Sequence, residues 1–451
     1  SEAEFHFVKN GMRVVVPFGK SKMYTALIID KHQNEPTLYE AKEIDQILDE
    51  KPIVTQFQIT HWQWIASYYM CAIGDVYRGA MPSALLLESE TIISQKHSVT
   101  IEEAELTDDE FLVYQALQHQ SSLRIQDITA ILNKKNVFPV IQKLIDKQVL
   151  VLHEEVQELY KPKLVRYVRL HSKYDLNSGL GGLMESLKSA AKQREIVLAY
   201  FQLSAKDKQP ISVKQLVETA NSSSAILKAL IEKQIFEDYF IQEDRVNFIG
   251  NPQENALELS NAQQEAFHQI QTSFTTQEVC LLHGLTSSGK TEIYIKLIEE
   301  QLASGKQVLY LLPEIALTTQ LVGRLRTYFG DKVGVYHSKY STNERVELWK
   351  QVLEQSPKAQ IVIGARSALF LPFSNLSLIV VDEEHEQTFK PVDPAPRYHA
   401  RDAAIVLANY HKAKVILGSA TPSIESYFNA ISNKYGLVEI TERFGKVRMP
   451  D

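Results

Sequence analysis

The stretch from Leu281 to Tyr294, LLHGLTSSGKTEIY, combines residue types at a spacing suited to binding phosphate. Gly284, Gly289, Lys290 and Thr291 match the pattern G-x-x-x-x-G-K-[ST], in which backbone N–H groups of a loop point inward at phosphate oxygens. In this pattern the lysine reaches the β and γ phosphates of a nucleoside triphosphate, and the hydroxyl of the last residue binds Mg²⁺. The predicted phosphate-binding residues are Gly284, Leu285, Thr286, Ser287, Ser288, Gly289, Lys290 and Thr291.

The residues on either side of this loop have the patterns of a buried strand and of a helix. Val279 to Leu282 is an apolar run, and apolar residues recur at helical spacing from Ile293 to Leu302. A helix that begins at Lys290 would direct the positive end of its dipole at the bound anion. The pattern therefore predicts strand, phosphate loop and helix in that order.

An acidic motif, DEEH from Asp382 to His385, directly follows the apolar run from Leu378 to Val381. Because such a run is typical of a strand buried on both faces, the motif would lie at the carboxyl end of that strand. We expect Asp382 to bind Mg²⁺ with Thr291, and Glu383 to polarise an attacking water. Two alternatives stay open for the rest of the motif. Glu384 could lie in a solvated turn, and His385 could be a structural hydrogen-bonding residue.

Strand and helix patterns alternate from residue 262 onward, which favours a parallel sheet with helices on both faces. Ligands bind such a sheet at the carboxyl ends of its strands, where the phosphate loop, DEEH and GSATPS (418–423) all fall. The predicted strands are Val279 to Leu282, Val308 to Leu312, Val333 to Tyr336, Ile361 to Ile363, Leu378 to Val381 and Val415 to Leu417.

The motifs occur in the order found in the PriA family of superfamily-2 DNA helicases, which restart stalled replication forks in bacteria, and the chain resembles that family over nearly its whole length. The resemblance rests on LSNAQ at 259–263, GLTSSGKTE at 284–292, PEIALT at 313–318, IGARSA at 363–368, DEEH and GSATPS. It implies that Gln263 reads the adenine base and that Arg366, within IGARSA, faces DNA. It also implies that Ser419, Ala420 and Thr421 couple the nucleotide state to DNA.

The segment at 389–402, FKPVDPAPRYHARD, resembles the aromatic-rich loop that in this family couples DNA contact to ATP hydrolysis. Cations alternate with an aromatic ring in it, a combination that stacks on bases while holding phosphates. The alternative is a solvated loop without a ligand. Prolines keep the segment extended. The residues predicted here to contact DNA are Lys390, Arg397, Tyr398, His399 and Arg401.

The N-terminal part begins with strand patterns at Met12 to Pro17 and Tyr24 to Ile29, which predict a hairpin. Helices are predicted at Ala41 to Glu50 and at Thr60 to Cys71. The segment resembles the small β-rich domain with which the family grips the 3′ end of a nascent strand. Gly19 and Lys42 match the glycine and lysine of that end-binding pocket, whose other residues we expect upstream of residue 1.

Between these parts the pattern predicts two similar units of three helices followed by strands, each in the order of a winged helix. The third helix of such a unit can enter a major groove. Acidic residues beside the lysines instead favour protein docking or a spacing role. The first unit has helices at Glu110 to His119, Ile125 to Leu132 and Val137 to Lys147, with strands at Val149 to Val156 and Val165 to Leu170; the second has helices at Arg194 to Leu203, Val213 to Ala220 and Ala225 to Lys233, with a strand at Ile235 to Gln242.

Composition is that of an ordinary soluble protein of 451 residues with a net charge of -7, so contact with DNA must come from local patches. The two cysteines, Cys71 and Cys280, cannot form a disulfide framework, which favours a reduced, cytoplasmic protein. No apolar run is long enough for a transmembrane helix, and no membrane partner is expected.

The sequence thus predicts a multidomain α/β protein: a β-rich 3′-end-binding domain (1–98), a winged helix (105–172), a second winged-helix-like unit (183–245) and a RecA-like ATPase lobe (255–451). The resemblance implies an ATP- and Mg²⁺-dependent helicase acting 3′ to 5′ on forked and single-stranded DNA, with single-stranded-DNA-binding protein and primosome components as partners. It also implies that a second motor lobe with a zinc site lies beyond residue 451, without which hydrolysis would be weak. The alternatives are another superfamily-2 translocase on duplex DNA, and a DNA adaptor that binds ATP without hydrolysing it.

Overall fold

The computed structural model describes residues 2–18, 22–34, 37, 41–86, 89–96, 106–134, 137–156, 163–174, 180–206, 210–242, 257–337, 340–393 and 395–442. The chain divides into two compact units, one made of residues 1–160 and 248–451 and the other of residues 161–247. None of the helices among these residues is long and apolar enough to cross a membrane.

The N-terminal segment contains a small antiparallel sheet. Its elements are α1 (Glu2–Phe7), β1 (Arg13–Phe18), β2 (Lys22–Leu27), β3 (Gln46–Ile47), α2 (Gln56–Tyr68) and α3 (Ile73–Ala80). Strand β1 lies between β2 and β3, which confirms the predicted pairing of the first two strands. The helix predicted from Ala41 to Glu50 is wrong. None of these residues is helical, Gln46–Ile47 form β3, and the amide of Asp45 donates to the carbonyl of Val15 (2.9 Å). Pairing with β1 overrides the helical composition of this stretch.

The first winged-helix unit takes one strand from the region assigned to the preceding domain. It consists of β4 (Ser89–Gln95), α4 (Asp108–His119), β5 (Leu123–Arg124), α5 (Ile125–Leu132), α6 (Phe138–Asp146) and β6 (Leu150–Val156). All three predicted helices are present. Strand β4 pairs antiparallel with β6 along its whole length and with β5 at its middle, through Ile92 and Ile93. The predicted boundary at residue 98 is therefore too late, since β4 belongs to this sheet.

The second unit shows the same shift of one strand. It consists of β7 (Leu164–Leu170), α7 (Leu180–Ser186), α8 (Ala191–Lys206), β8 (Ile211–Ser212), α9 (Val213–Thr219), α10 (Ser224–Glu232) and β9 (Phe236–Gln242). Strand β7, predicted as the last strand of the first unit, pairs instead with β8 and β9. An alternating pattern identifies a strand, but it does not identify the partner of that strand.

The C-terminal part contains a seven-stranded sheet in the order β12-β13-β11-β14-β15-β10-β16, parallel throughout. All six predicted strands are present, and β16 was not predicted. Its elements are α11 (Asn261–Ser273), β10 (Val279–Gly284), α12 (Lys290–Ala303), β11 (Gln307–Leu311), α13 (Thr319–Phe329), β12 (Val333–Tyr336), α14 (Thr342–Leu353), β13 (Ile361–Gly364), β14 (Leu376–Asp382), α15 (Ala400–His411), β15 (Lys414–Ser419), α16 (Ile424–Ile431) and β16 (Gly436–Ile440).

Helices α2 and α3 share a hydrophobic core with one face of this seven-stranded sheet. The side-chain Nε2 of Gln58 in α2 donates to the carbonyl of Phe370 (2.6 Å), and the indole N–H of Trp349 donates to the carbonyl of Ile53 (2.8 Å). His61 is fully buried and its Nε2 lies 2.9 Å from the carbonyl oxygen of Ala403 in α15. Residues 53–85 are therefore part of the packing of the seven-stranded sheet and its helices, although the sequence places them in the N-terminal domain.

Candidate nucleotide site and its links to the basic loop

The phosphate loop connects β10 to α12 at the carboxyl edge of the sheet, as predicted. Gly289, the residue before the helix, has a φ of +84°. A Cβ at this position would lie 1.9 Å from Nε2 of Gln263, so both the backbone angle and the space require glycine. The sequence pattern thus has a local structural reason at its second glycine.

Lys290 is buried, and its Nζ donates to the carbonyl of Gly284 across the loop (2.9 Å). The hydroxyl of Ser288 is also buried and has no hydrogen-bond partner among the described residues. An unpaired buried hydroxyl beside a lysine suits an anion, because a phosphate oxygen would satisfy both groups. The loop borders a pocket of about 390 Å³, whose lining residues are Thr286, Ser287, Ser288, Gly289, Lys290, Thr291, Glu292, Arg324, Asp382 and Glu383.

Asp382 ends β14 and faces this pocket with both carboxylate oxygens already in hydrogen bonds. Its Oδ2 accepts from the hydroxyl of Tyr310 (2.8 Å), and its Oδ1 accepts from the hydroxyl of Tyr294 (3.3 Å) and the amide of Glu383 (3.2 Å). Burial raises the pKa of Asp382, and the hydrogen bond from Tyr310 opposes that rise. These hydrogen bonds fix the orientation of the carboxylate, and Asp382 lines the same pocket as Thr291 and Glu383.

Glu384 is completely buried rather than part of a solvated turn. Its Oε2 accepts from Nη1 of Arg401 (2.9 Å), from the hydroxyl of Ser423 (3.0 Å) and from the hydroxyl of Ser426 (2.8 Å), and its Oε1 accepts from the amide of Ser423 (2.7 Å). This corrects the expectation of DNA contact by Arg401, whose guanidinium is buried in the ion pair. The acidic motif is thereby joined to the starts of α15 and α16.

His385 forms a hydrogen bond between its Nδ1 and the hydroxyl of Ser419 (2.8 Å). The same hydroxyl accepts from the amide of Thr421 (3.0 Å). Ser419 is buried and Thr421 is exposed, so the GSATPS segment runs from the acidic motif to the surface through Ala420. His385 is in this structure a hydrogen-bonding residue between two motifs.

The segment at 389–402, which we call the basic loop, divides into a buried and an exposed part. Tyr398 is buried, packs edge-to-face on Phe370 (4.9 Å between ring centroids) and donates its hydroxyl to the carbonyl of Arg366 (3.2 Å). Base stacking by Tyr398 is therefore not supported. Arg397 and Lys390 are exposed.

Arg366 and His399, the other basic residues predicted here, are half-buried. Nη1 of Arg366 donates to the carbonyl of Thr388 (3.1 Å), at the start of the loop. Burial lowers the pKa of His399. Arg366 is therefore held against the loop, and His399 is favoured in its neutral form.

Three further predicted residues differ in how they are placed. Gln263 is buried; its Oε1 accepts from the amide of Ser260 (2.8 Å) and its Nε2 donates to the carbonyl of Gly289 (3.3 Å). It therefore braces the phosphate loop, and contact with an adenine base stays a prediction. Lys42 is exposed on the N-terminal segment. Gly19 lies outside the described residues.

Sequence reasoning missed the residues that support the acidic motif. Tyr294 in α12 and Tyr310 in β11 hydrogen-bond to Asp382, and Ser426 in α16 hydrogen-bonds to Glu384. Ser423 is part of GSATPS, but its hydrogen bonds to Glu384 were not predicted. Arg324 in α13, which lines the pocket, was missed as well. The pattern marks the two tyrosines only as apolar positions, although a buried tyrosine requires a partner for its hydroxyl. That requirement is the one signal that could have identified them.

Models of four protein families match successive parts of the chain. The family described as 3′DNA-binding domain matches residues 2–82, and a winged helix domain matches residues 90–155. The family described as winged helix domain, PriA helicase, Bacteroidota matches residues 165–242, and DEAD/DEAH box helicase matches residues 260–429. The two winged-helix matches begin within or beside β4 and β7, in agreement with the sheets of the structure.

Curated relatives match almost the whole chain. The replication restart protein PriA of Bacillus subtilis (strain 168) is 32% identical over 98% of this chain and 53% of its own length. The replication restart protein PriA of Haemophilus influenzae is 33% identical over 96% of this chain and 49% of its own. The chain spans about half the length of these relatives. It belongs to the PriA family and contains that family's 3′DNA-binding, winged-helix and helicase domains.

Proposed function

We propose that the protein is an ATP-driven DNA helicase that recognises branched replication forks, moves 3′ to 5′ along a strand and initiates primosome assembly for replication restart. The observation that carries the proposal is the convergence of Lys290, Thr291, Asp382 and Glu383 on one pocket. Membership of the family supports the choice of DNA as substrate. Single-stranded-DNA-binding protein and primosome components are the protein partners we propose, and the cytoplasm is the place of action.

The residues around the pocket fit ATP with Mg²⁺. Lys290 would exchange the carbonyl of Gly284 for phosphate oxygens, and the unpaired hydroxyl of Ser288 would gain an acceptor. Thr291 and Asp382 would hold the Mg²⁺, which when bound supplies positive charge next to the phosphates. Glu383, at the rim of the same pocket, would orient the attacking water for in-line displacement.

DNA contact is proposed for the exposed and half-buried side chains beside the acidic motif, which are three cations and the neutral imidazole of His399. Arg397, Lys390, Arg366 and His399 lie on or next to the loop whose buried part contacts Glu384 through Arg401. Separate contact with a 3′ end by Lys42 and Gly19 rests on the family resemblance alone.

The test is a nucleotide titration followed by steady-state hydrolysis with and without forked DNA. Lys290→Ala should abolish Mg-ATP binding without unfolding the protein, because the charge of the lysine is matched by the ligand rather than by core packing. Glu383→Gln should bind ATP and stop turnover. Unchanged ATP affinity in Lys290→Ala would contradict the assignment of the pocket to ATP. Turnover that persists in Glu383→Gln would contradict the proposal that Glu383 orients the attacking water.

We further propose that residues 1–451 alone bind ATP and hydrolyse it at close to background. In two-lobed motors an arginine from the second sheet completes the charge on the transferring phosphoryl group and contributes on the order of 10³ to 10⁵ in rate. DNA-stimulated hydrolysis by residues 1–451 that survives repurification and disappears in Lys290→Ala would show that the catalytic cation lies within this chain.

A further inference from the structure

Arg324 is the one cation besides Lys290 among the described residues that line the nucleotide pocket. It lies on α13, outside the phosphate loop and the acidic motif. Its guanidinium forms an ion pair with the carboxylate of Glu292, in the first turn of α12. The side chain of Arg324 is 42% exposed and that of Glu292 is 15% exposed, so the arginine is accessible from the pocket.

Glu292 places a negative charge where the loop would bind an anion. Its Oε2 lies 3.1 Å from the position of a Cβ built on Gly289, directly against the phosphate loop. The amino-terminal turn of a helix favours a carboxylate there for the same reason that it favours a phosphate. Glu292 therefore occupies part of the electrostatic site that a nucleotide would use.

The pocket carries more negative than positive charge, and the ion pair with Glu292 engages one of its two cations. Two cations, Lys290 and Arg324, face three carboxylates, those of Glu292, Asp382 and Glu383. Asp382 and Glu383 have roles with Mg²⁺ and water in the proposed function, whereas Glu292 has none. A guanidinium offers a planar fork of donors suited equally to a carboxylate and to a phosphate.

We propose that Arg324 is a phosphate ligand of the bound nucleotide and that Glu292 holds it until the nucleotide arrives. Binding then exchanges one anionic partner of Arg324 for another: the ion pair with Glu292 opens and the guanidinium turns to the phosphate. The inference rests on the proposed ATP site and adds to it a residue from a different helix. It predicts opposite effects for the two partners, since loss of Arg324 removes a ligand and neutralisation of Glu292 removes a competitor.

The experiment is a calorimetric titration of the protein with a non-hydrolysable ATP analogue and Mg²⁺. Arg324→Ala should lower the affinity about tenfold, as expected for loss of a hydrogen-bonded charge contact. Glu292→Gln, which keeps the shape of the side chain, should raise the affinity. Lys296→Ala is the matched control, because Lys296 forms its ion pair with Glu299 on the same helix α12 and does not line the pocket.

The double variant Arg324→Ala/Glu292→Gln decides whether the two residues act through each other. If Glu292 competes for Arg324, the gain from Glu292→Gln disappears when Arg324 is absent. A gain of equal size in both backgrounds would show plain repulsion between Glu292 and phosphate and would overturn the proposal, as would an Arg324→Ala affinity within twofold of the unmodified protein. Loss of binding in Lys290→Ala separates these results from a failure of the ATP site itself.

Discussion

Arg401→Ala should destabilise the protein far more than the loss of an exposed arginine from the same loop. The side chain of Glu384 is 0% exposed and that of Arg401 is 8% exposed. Removal of one partner of a buried ion pair leaves an uncompensated charge and generally lowers the free energy of unfolding by about 3 to 5 kcal/mol. Glu384 keeps its three donors from Ser423 and Ser426, so we expect a loss near the lower end, about 3 kcal/mol.

Arg397→Ala is the matched control for this substitution. Its side chain is 62% exposed, and its partner Asp393, four residues earlier, is 79% exposed. Exposed ion pairs contribute about 1 kcal/mol or less. The control should therefore leave stability nearly unchanged and lower affinity for forked DNA, if the exposed part of the loop contacts DNA as proposed.

Urea unfolding followed by tryptophan fluorescence measures the stability of the compact unit in which Arg401 and Glu384 lie. The three tryptophans, Trp62, Trp64 and Trp349, all belong to the compact unit that contains the ion pair. Glu384→Gln should cost less stability in the Arg401→Ala background than alone, because the neutral amide removes the uncompensated charge. An Arg401→Ala midpoint equal to that of Arg397→Ala, with DNA affinity lost instead, would refute the assignment of Arg401 to the core and restore it to the DNA surface.

Three further perturbations test the supports of the site. Tyr310→Phe removes a hydrogen bond that orients Asp382 and should weaken metal binding about tenfold in a Mn²⁺ titration followed by electron paramagnetic resonance. Tyr336→Phe, which changes another buried tyrosine, is the control. Equal losses of Mn²⁺ affinity in the two variants would contradict the role of Tyr310. Burial lowers the pKa of His61 to about 4 in the folded protein. Below pH 6.5 the unfolded state therefore binds more protons than the folded state. The free energy of unfolding should fall by up to roughly 3 kcal/mol as the pH drops from 6.5 to 4. His61→Gln should make this decrease shallower in urea titrations at several pH values, and an unchanged slope would assign it to other groups. Gln58→Ala should lower the unfolding free energy by about 1 to 3 kcal/mol, because it leaves the carbonyl of Phe370 without this donor; no change would show that α2 does not stabilise the lobe.

The sequence was most informative where the chemistry is local. The phosphate loop, its flanking strand and its helix are contiguous, and each glycine or lysine in them has a reason within a few residues. The strand that delivers Asp382 was equally visible, because a strand buried on both faces has a continuous apolar pattern. Pairing was not visible, since the periodicity of β4 and β7 indicates two strands without indicating their sheets. The same limit produced the error at residues 41–50.

Burial of charge was the other feature that local pattern could not supply. Arg401 follows a run rich in prolines and basic residues, where a cation is ordinarily solvated, and Glu384 lies in an acidic quartet. Their mutual burial depends on α15 and α16, which begin 16 and 40 residues after Glu384. Charged residues are almost never fully buried unless paired, so each of the two explains the burial of the other only after the fold is known.

The division of the basic loop connects these observations to the proposed function. Arg397 is exposed, Tyr398 is held in the core that α2 and α3 share with the sheet, and Arg401 ends in the ion pair with Glu384. A ligand that contacts Arg397 would therefore act four residues from a guanidinium bound to the acidic motif. Because the shared core fixes Tyr398 between these two points, displacement of the exposed part must either bend the backbone between Arg397 and Tyr398 or strain the packing of α2. Helices α2 and α3 thus help to fix the loop at Tyr398. The loop in turn holds Glu384, next to Asp382 and Glu383, through Arg401.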